Sequence, residues 1–134
     1  MPSLCGLWRA KRALVAVRAD QEGRTGRPYT VALDDDARYD LLLRIEATDG
    51  LDFELVVTDA LARGDPTARF ALSRGVTVWL APAPWVDALR ALAGFTAGPP
   101  ARSAALLARL PLVPPFRAKL KRLPPDDPRQ LELP

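Results

Sequence analysis

The sequence predicts an α/β domain. A small mixed sheet of about four strands is expected, built from an N-terminal hairpin plus a parallel strand-helix-strand unit, with flanking helices and a basic helical C-terminal extension. Two observations predict this class. Short runs rich in branched residues alternate with segments of helical periodicity, and clusters of Gly, Pro and Asp fall between them. The predicted organisation is an α/β domain over 1–97, a basic amphipathic extension over 98–123, and a proline-rich tail over 124–134.

The elements follow in order. Residues 12–19 (RALVAVRA) read as a strand through Leu14, Ala16 and Val17. A polar loop over 20–27, with Gly23 and Gly26, leads into a second strand at 28–33 (PYTVAL). Two strands so joined make an antiparallel hairpin. Asp34, Asp35 and Asp36 then supply a cap and first-turn anions for a helix whose apolar face is Ala37, Leu41, Leu42 and Ile45. Asp49-Gly50 ends that helix, and 51–58 (LDFELVVT) reads as a strand.

Residues 59–74 read as helical with a break near Gly64-Asp65-Pro66, and Gly75 closes them before the strand 76–80 (VTVWL). This unit should be parallel with a right-handed crossover. Pro84 suits the first turn of a helix over 84–93, and Gly98-Pro99-Pro100 marks a boundary. Beyond it, 101–110 reads as an amphipathic helix through Leu106, Leu107 and Leu110. Pro111, Pro114 and Pro115 interrupt the chain, and Phe116, Leu120 and Leu123 suggest one more short basic helix.

Composition bounds the chemistry. The chain of 134 residues is 49% hydrophobic and 26% charged, which is enough for one core without staples. There is no histidine, so His-dependent triads and His-ligated metals are excluded. Cys5 is the one cysteine, which rules out an intramolecular disulfide and suits a cytoplasmic location with the thiol buried. No apolar run approaches the ~18 residues that span a bilayer, so no membrane partner is expected. Residues 1–18 carry cations but no apolar stretch before a small-residue cleavage site, so no signal peptide is expected. No P-loop or GxGxxG motif is present. No cofactor or resident metal is expected.

The charge is unevenly distributed around its net +3. Residues 1–27 carry six cations against two anions, 28–60 two against nine, and 61–134 eleven against five. Arg102, Arg109, Arg117, Lys119, Lys121 and Arg122 fall within 101–122, which has no acid. Sixteen of the 19 cations are arginine, the better phosphate fork. This segment is a candidate DNA contact, with a plain solvated face as the competing reading. Trp8, beside Arg9, Lys11 and Arg12, is a candidate for stacking on a base.

The sequence given closes on Gln130-Leu131-Glu132-Leu133-Pro134, after a proline-rich spacer. This resembles the sliding-clamp-binding peptide of bacterial replication and repair proteins, of the QLxLP type. The resemblance implies that Gln130 is the polar anchor. Leu131, Leu133 and Pro134 would fill the apolar subsites, and the clamp would be the partner. The motif lacks the final Phe or Leu of the fuller form, a loss of apolar burial at about 25 cal/mol per Å².

The hairpin-first order also resembles the RNase H-like fold of resolvases and related transposases. That resemblance implies carboxylates on adjacent strands holding two Mg²⁺, with Asp20 and Asp59 as candidates and Glu54 within the third strand. The family begins with three strands, whereas two are predicted here before the first helix. Its first carboxylate also lies within a strand. A degenerate, non-catalytic version is therefore expected, with Asp20 a turn residue and Asp59 a helix cap.

Three functions remain open. One is a non-enzymatic accessory protein of DNA replication, repair or mobile-element transfer, tethered to the clamp. Another is a Mg²⁺-dependent nuclease or transposase-related enzyme. The third is a small regulator that binds a basic partner through the acidic stretch 28–60.

Overall fold

The computed structural model describes residues 2–49, 52–82, 84, 85, 88 and 100–124. Its sheet has six strands: β1 (Ser3–Arg9), β2 (Ala13–Ala19), β3 (Tyr29–Ala32), β4 (Phe53–Thr58), β5 (Thr77–Ala81) and β6 (Lys121–Arg122). The helices are α1 (Asp35–Asp49), α2 (Asp59–Gly64), α3 (Thr67–Ser73), α4 (Pro100–Arg109) and α5 (Pro114–Arg117). A 3-10 turn at Leu110–Leu112 joins α4 to α5. Among the described residues no helix is long and apolar enough to cross a membrane.

The strand order is β3-β2-β1-β4-β5-β6. The first three strands form an antiparallel meander. β4 lies parallel to β1 and β5 parallel to β4, while β6 closes the far edge antiparallel to β5. The α/β class therefore holds, with six strands in place of about four.

Both extra strands had weak sequence signals. β1 (SLCGLWR) is buried on both faces and carries a central glycine, so no alternation of polar and apolar residues marks it. β6 is two exposed basic residues, held in place by Leu123, whose N–H donates to the Val78 carbonyl at 2.8 Å. The second basic helix expected through Leu120 and Leu123 stops at Arg117, because the chain then turns into the sheet edge. Most of the predicted helix 84–93 lies outside the described residues.

Side chains alternate cleanly across the sheet. Cys5, Leu7, Leu14, Ala16, Leu55, Val57 and Val78 face one side, where Leu41, Leu42 and Ile45 of α1, Leu61 of α2 and Ala68 and Ala71 of α3 complete the larger core. Leu4, Val15, Val17, Ala19 and Val56 face the other, against α4. The two layers of helices thus sandwich the sheet.

Local chemistry explains each boundary. Asp34 Oδ1 accepts from the Ala37 N–H at 2.8 Å, capping α1 ahead of Asp35 and Asp36 in its first turn. Gly75 sits at φ +87°, the left-handed turn that releases α3 into β5. Arg74 donates two hydrogen bonds of 2.5 Å to Glu46, tying the end of α3 to α1. These bonds hold the Glu46 carboxyl below its ordinary range and raise Arg74. The pair therefore contributes stability above the unfolded-state value and loses it as pH falls through the folded one.

Residues 100–123, expected as an extension, are a wall of the domain. Ser103, Ala104, Leu107 and Ala108 of α4 are fully buried, Ala104 and Ala108 against β1 and β2 and Leu107 beside Val56 of β4. The helix approaches so closely because Gly6 lies beneath it. A Cβ built on Gly6 would fall 1.9 Å from the Ala104 carbonyl oxygen and 2.8 Å from the Ala108 nitrogen. Only hydrogen fits there.

Gly6→Ala should consequently destabilise the protein by about 3 kcal/mol or more, at or beyond the upper end of overpacking costs. Gly26→Ala, where nothing lies within 4 Å of the added carbon, should shift stability by less than about 0.5 kcal/mol. Urea unfolding of both variants gives the comparison, and equal stability would mean that the helix does not sit on Gly6.

Candidate functional site

Parallel strands place their C-terminal ends at one rim of a sheet, where α/β folds gather their ligands. Here β1, β4 and β5 end at Arg9, Thr58 and Ala81. Thr58 caps α2, its Oγ1 accepting from the Leu61 N–H at 3.1 Å. Asp59 is therefore a first-turn acid facing the helix dipole, and the cap expected at Asp59 falls one residue earlier. A cleft of about 490 Å³ opens beside it, lined in part by Asp59, Arg63, Asp65 and Arg69. The Arg9 guanidinium reaches the same corner, within 3.9 Å of the position a Gly64 Cβ would take.

Asp65 is 3% exposed. Its Oδ2 accepts from Arg38 Nη2 at 2.9 Å and Nε at 3.1 Å, and its Oδ1 from the Thr67 N–H at 2.9 Å. Oδ1 also accepts from the Thr67 hydroxyl at 2.5 Å, so one oxygen of this carboxylate ties α1 to the α2–α3 junction and the other holds the start of α3. The Asp-Pro-Thr sequence is a turn signature, but nothing in it points to Arg38, 27 residues earlier.

Asp20 lies elsewhere. Its Oδ1 accepts from the N–H groups of Glu22 and Arg24, both at 2.9 Å, forming the turn after β2. The Arg24 bond is the main reason its carboxyl is held below the usual range. The register measures the separation from Asp59. Ala19 pairs with Leu4 and Leu4 with Glu54, so Asp20 sits at the opposite rim of the sheet. From Glu54, five residue steps through the end of β4 lead to Asp59, about 16 Å at ~3.3 Å per residue. Paired catalytic metals sit about 4 Å apart. Asp20 and Asp59, the candidates for a two-metal pair, are therefore not brought together, and Asp20 is the turn residue expected. Among the described residues no group of three or more His, Cys, Asp or Glu could hold a metal ion.

Glu54 accepts from Trp79 Nε1 at 3.0 Å, a cross-strand contact on the α4 side. Arg122 lies over the Trp79 ring at 5.6 Å and donates to Thr77 Oγ1 at 3.1 Å. Trp8, the stacking candidate, is half-buried against the α4 side of the core. Several acids of 28–60 have local roles. Glu46 is paired with Arg74 and Glu54 with Trp79, while Asp34, Asp35 and Asp36 serve the start of α1.

The six candidate DNA-contacting cations are all exposed, but they are spread along one wall. Arg102 and Arg109 stand near opposite ends of α4, and Arg109 Nε donates to the Gly23 carbonyl at 2.9 Å. Arg117, Lys119 and Lys121 follow on the segment leading to the sheet edge. Gln130, Leu131, Leu133 and Pro134 lie outside the described residues. Compared with family models and with curated proteins, the chain matches none.

Breaking the Arg38–Asp65 pair should be costly, since each partner leaves the other's charge in a largely dry site. Asp65→Asn should lower the unfolding free energy by about 3–5 kcal/mol. Joint replacement Arg38→Met and Asp65→Asn should recover part of that loss. Denaturant titration decides it: a cost below about 1 kcal/mol, the range of exposed pairs, would mean that the pair is solvated.

Proposed function

We propose that this protein is a non-enzymatic accessory factor of DNA replication, repair or mobile-element transfer, tethered to a bacterial sliding clamp by residues 130–134. The observation that carries the non-enzymatic half is the placement of Asp20 and Asp59 at opposite rims of the sheet. The topology supports an RNase H-like scaffold. Three antiparallel strands precede the first helix, where two had been expected, and the next two strands run parallel to β1. On that reading β1 would carry the first carboxylate within the strand, and its sequence SLCGLWR has none. The scaffold would then be retained for binding.

The tether reading rests on the residue types of Gln130, Leu131, Leu133 and Pro134. A docking peptide works best when a spacer separates it from its domain. Pro124 is anchored, its carbonyl accepting from Arg69 Nη1 at 3.3 Å. The five residues 125–129, two of them prolines, separate the peptide from that anchor in sequence. The exposed cations Arg102, Arg109, Arg117, Lys119 and Lys121 would then meet phosphates of the DNA that the clamp encircles, while Arg122 is engaged with Trp79. Tethering makes that second contact effectively intramolecular.

Fluorescence anisotropy of the labelled full chain, titrated with purified clamp, tests the reading. Micromolar binding is expected, weakened about tenfold or more by Gln130→Ala and abolished by deleting 130–134. The deletion should leave thermal unfolding unchanged. Clamp binding that survives the deletion would refute the tether.

A further inference from the structure

The two edges of the sheet are finished differently. β6 closes one edge with Lys121 and Arg122, followed after Leu123 by Pro124 and Pro125. A short, charged strand stopped by proline resists pairing with another strand. β3 closes the other edge with Tyr29, Thr30, Val31 and Ala32, none of them charged. Val31 is half-buried and the other three are exposed. Among the described residues nothing pairs with the outer side of β3.

The register shows which backbone groups face out. Along an antiparallel strand, alternate residues turn both N–H and C=O to the same neighbour. On β2 the Ala13 carbonyl accepts from the Ala10 N–H, toward β1, and the Arg18 carbonyl accepts from the Gly26 N–H, toward β3. Leu14 and Ala16 are in step with Arg18, so they turn to β3 and meet Val31 and Tyr29, their partners in register. Thr30 and Ala32 therefore present their N–H and C=O groups outward. Pro28, just before the strand, has no N–H to offer.

We infer that the outer edge of β3 pairs with β3 of a second copy of this chain, antiparallel about a two-fold axis through Val31. Such an interface is self-complementary, so each group on one side of the axis needs its match on the other. Centred on Val31, Thr30 of each copy lies opposite Ala32 of the other, and their N–H and C=O groups satisfy one another. Centred on Thr30, Ala32 would face Pro28, and its carbonyl would find no donor. The proline thus selects the Val31 register. The two Val31 side chains then meet in the closer, non-hydrogen-bonded pairing, with Tyr29 across from Leu33 of the second copy. Arg44 Nη1 donates to the Tyr29 hydroxyl at 2.9 Å, which orients that ring at the edge. Charge fits the same register. Arg27, exposed ahead of β3, falls across from the exposed Asp35 of the second copy, between Asp34 and Asp36. The two-fold repeats that attraction at both ends of the contact. The inference does not rest on the clamp peptide.

Sedimentation velocity of the full chain, from about 1 µM to about 1 mM, tests it. Pairing along one short edge buries little surface, so a weak dimer is expected, half-formed at about 10–100 µM. Thr30→Pro removes an outward N–H and leaves the bonds to β2 in place, so it should keep the fold and abolish the dimer. Thr30→Val keeps that N–H and should dimerise as the unaltered chain does. Arg27→Glu acts twice across the axis and should weaken the dimer by about tenfold or more, and adding Asp35→Arg to the same chain should restore it. Circular dichroism checks the fold of each variant, and if Thr30→Pro does not fold, the charge exchange decides alone. The inference is overturned by a monomer at every concentration, by a Thr30→Pro dimer as tight as the original, or by Arg27→Glu and the exchanged pair dimerising alike.

Discussion

The close approach of α4 to β1 over Gly6 is the contact on which the rest of this architecture depends. A helix normally stands off a sheet by the length of the side chains between them. Here the Ala104 carbonyl and the Ala108 nitrogen reach the space that any side chain at position 6 would fill. Ala104, Leu107 and Ala108 are consequently sealed from solvent, and the sheet gains a second covered face. The chain leaving α4 then reaches the β5 edge, where Lys121 and Arg122 add the last strand. A segment that looks like an appendage by charge is a structural layer by packing.

The opposite layer is held by polar contacts as well as by its core. Arg38 and Asp65 fix α1 to the α2–α3 junction, and Glu46 and Arg74 fix it again near its other end. These four residues use their charges on one another. The exposed cations of α4 and of the segment leading to β6 lie outside these pairs.

Much of the fold was legible because its signals were local. The hairpin at 13–19 and 29–32, the capped α1, the break at Gly64-Asp65-Pro66 and the turn at Gly75 all follow from neighbouring residues. β1 was not legible, because both its faces are buried and Gly6 interrupts its apolar run. That one omission changed the reading of the site. With β2 taken as the first strand, Asp20 and Asp59 would both sit at the ends of parallel strands. Once β1 is inserted, β2 runs antiparallel to it and Asp20 moves to the opposite rim. The outward-facing backbone groups of Thr30 and Ala32 were likewise invisible, because they follow only from the register of β2 with β3. The buried face of α4 was under-read through its leucines, when three of its four buried residues are Ser103, Ala104 and Ala108.

Native-state hydrogen exchange tests most directly whether α4 is a wall of the domain or an added segment. If it is a wall, the amides of Leu107 and Ala108 exchange only by the same global unfolding that releases Leu7 in β1, with matching free energies and matching denaturant dependence. Exchange of the α4 amides through a low-energy local opening, while β1 stays protected, would contradict the account.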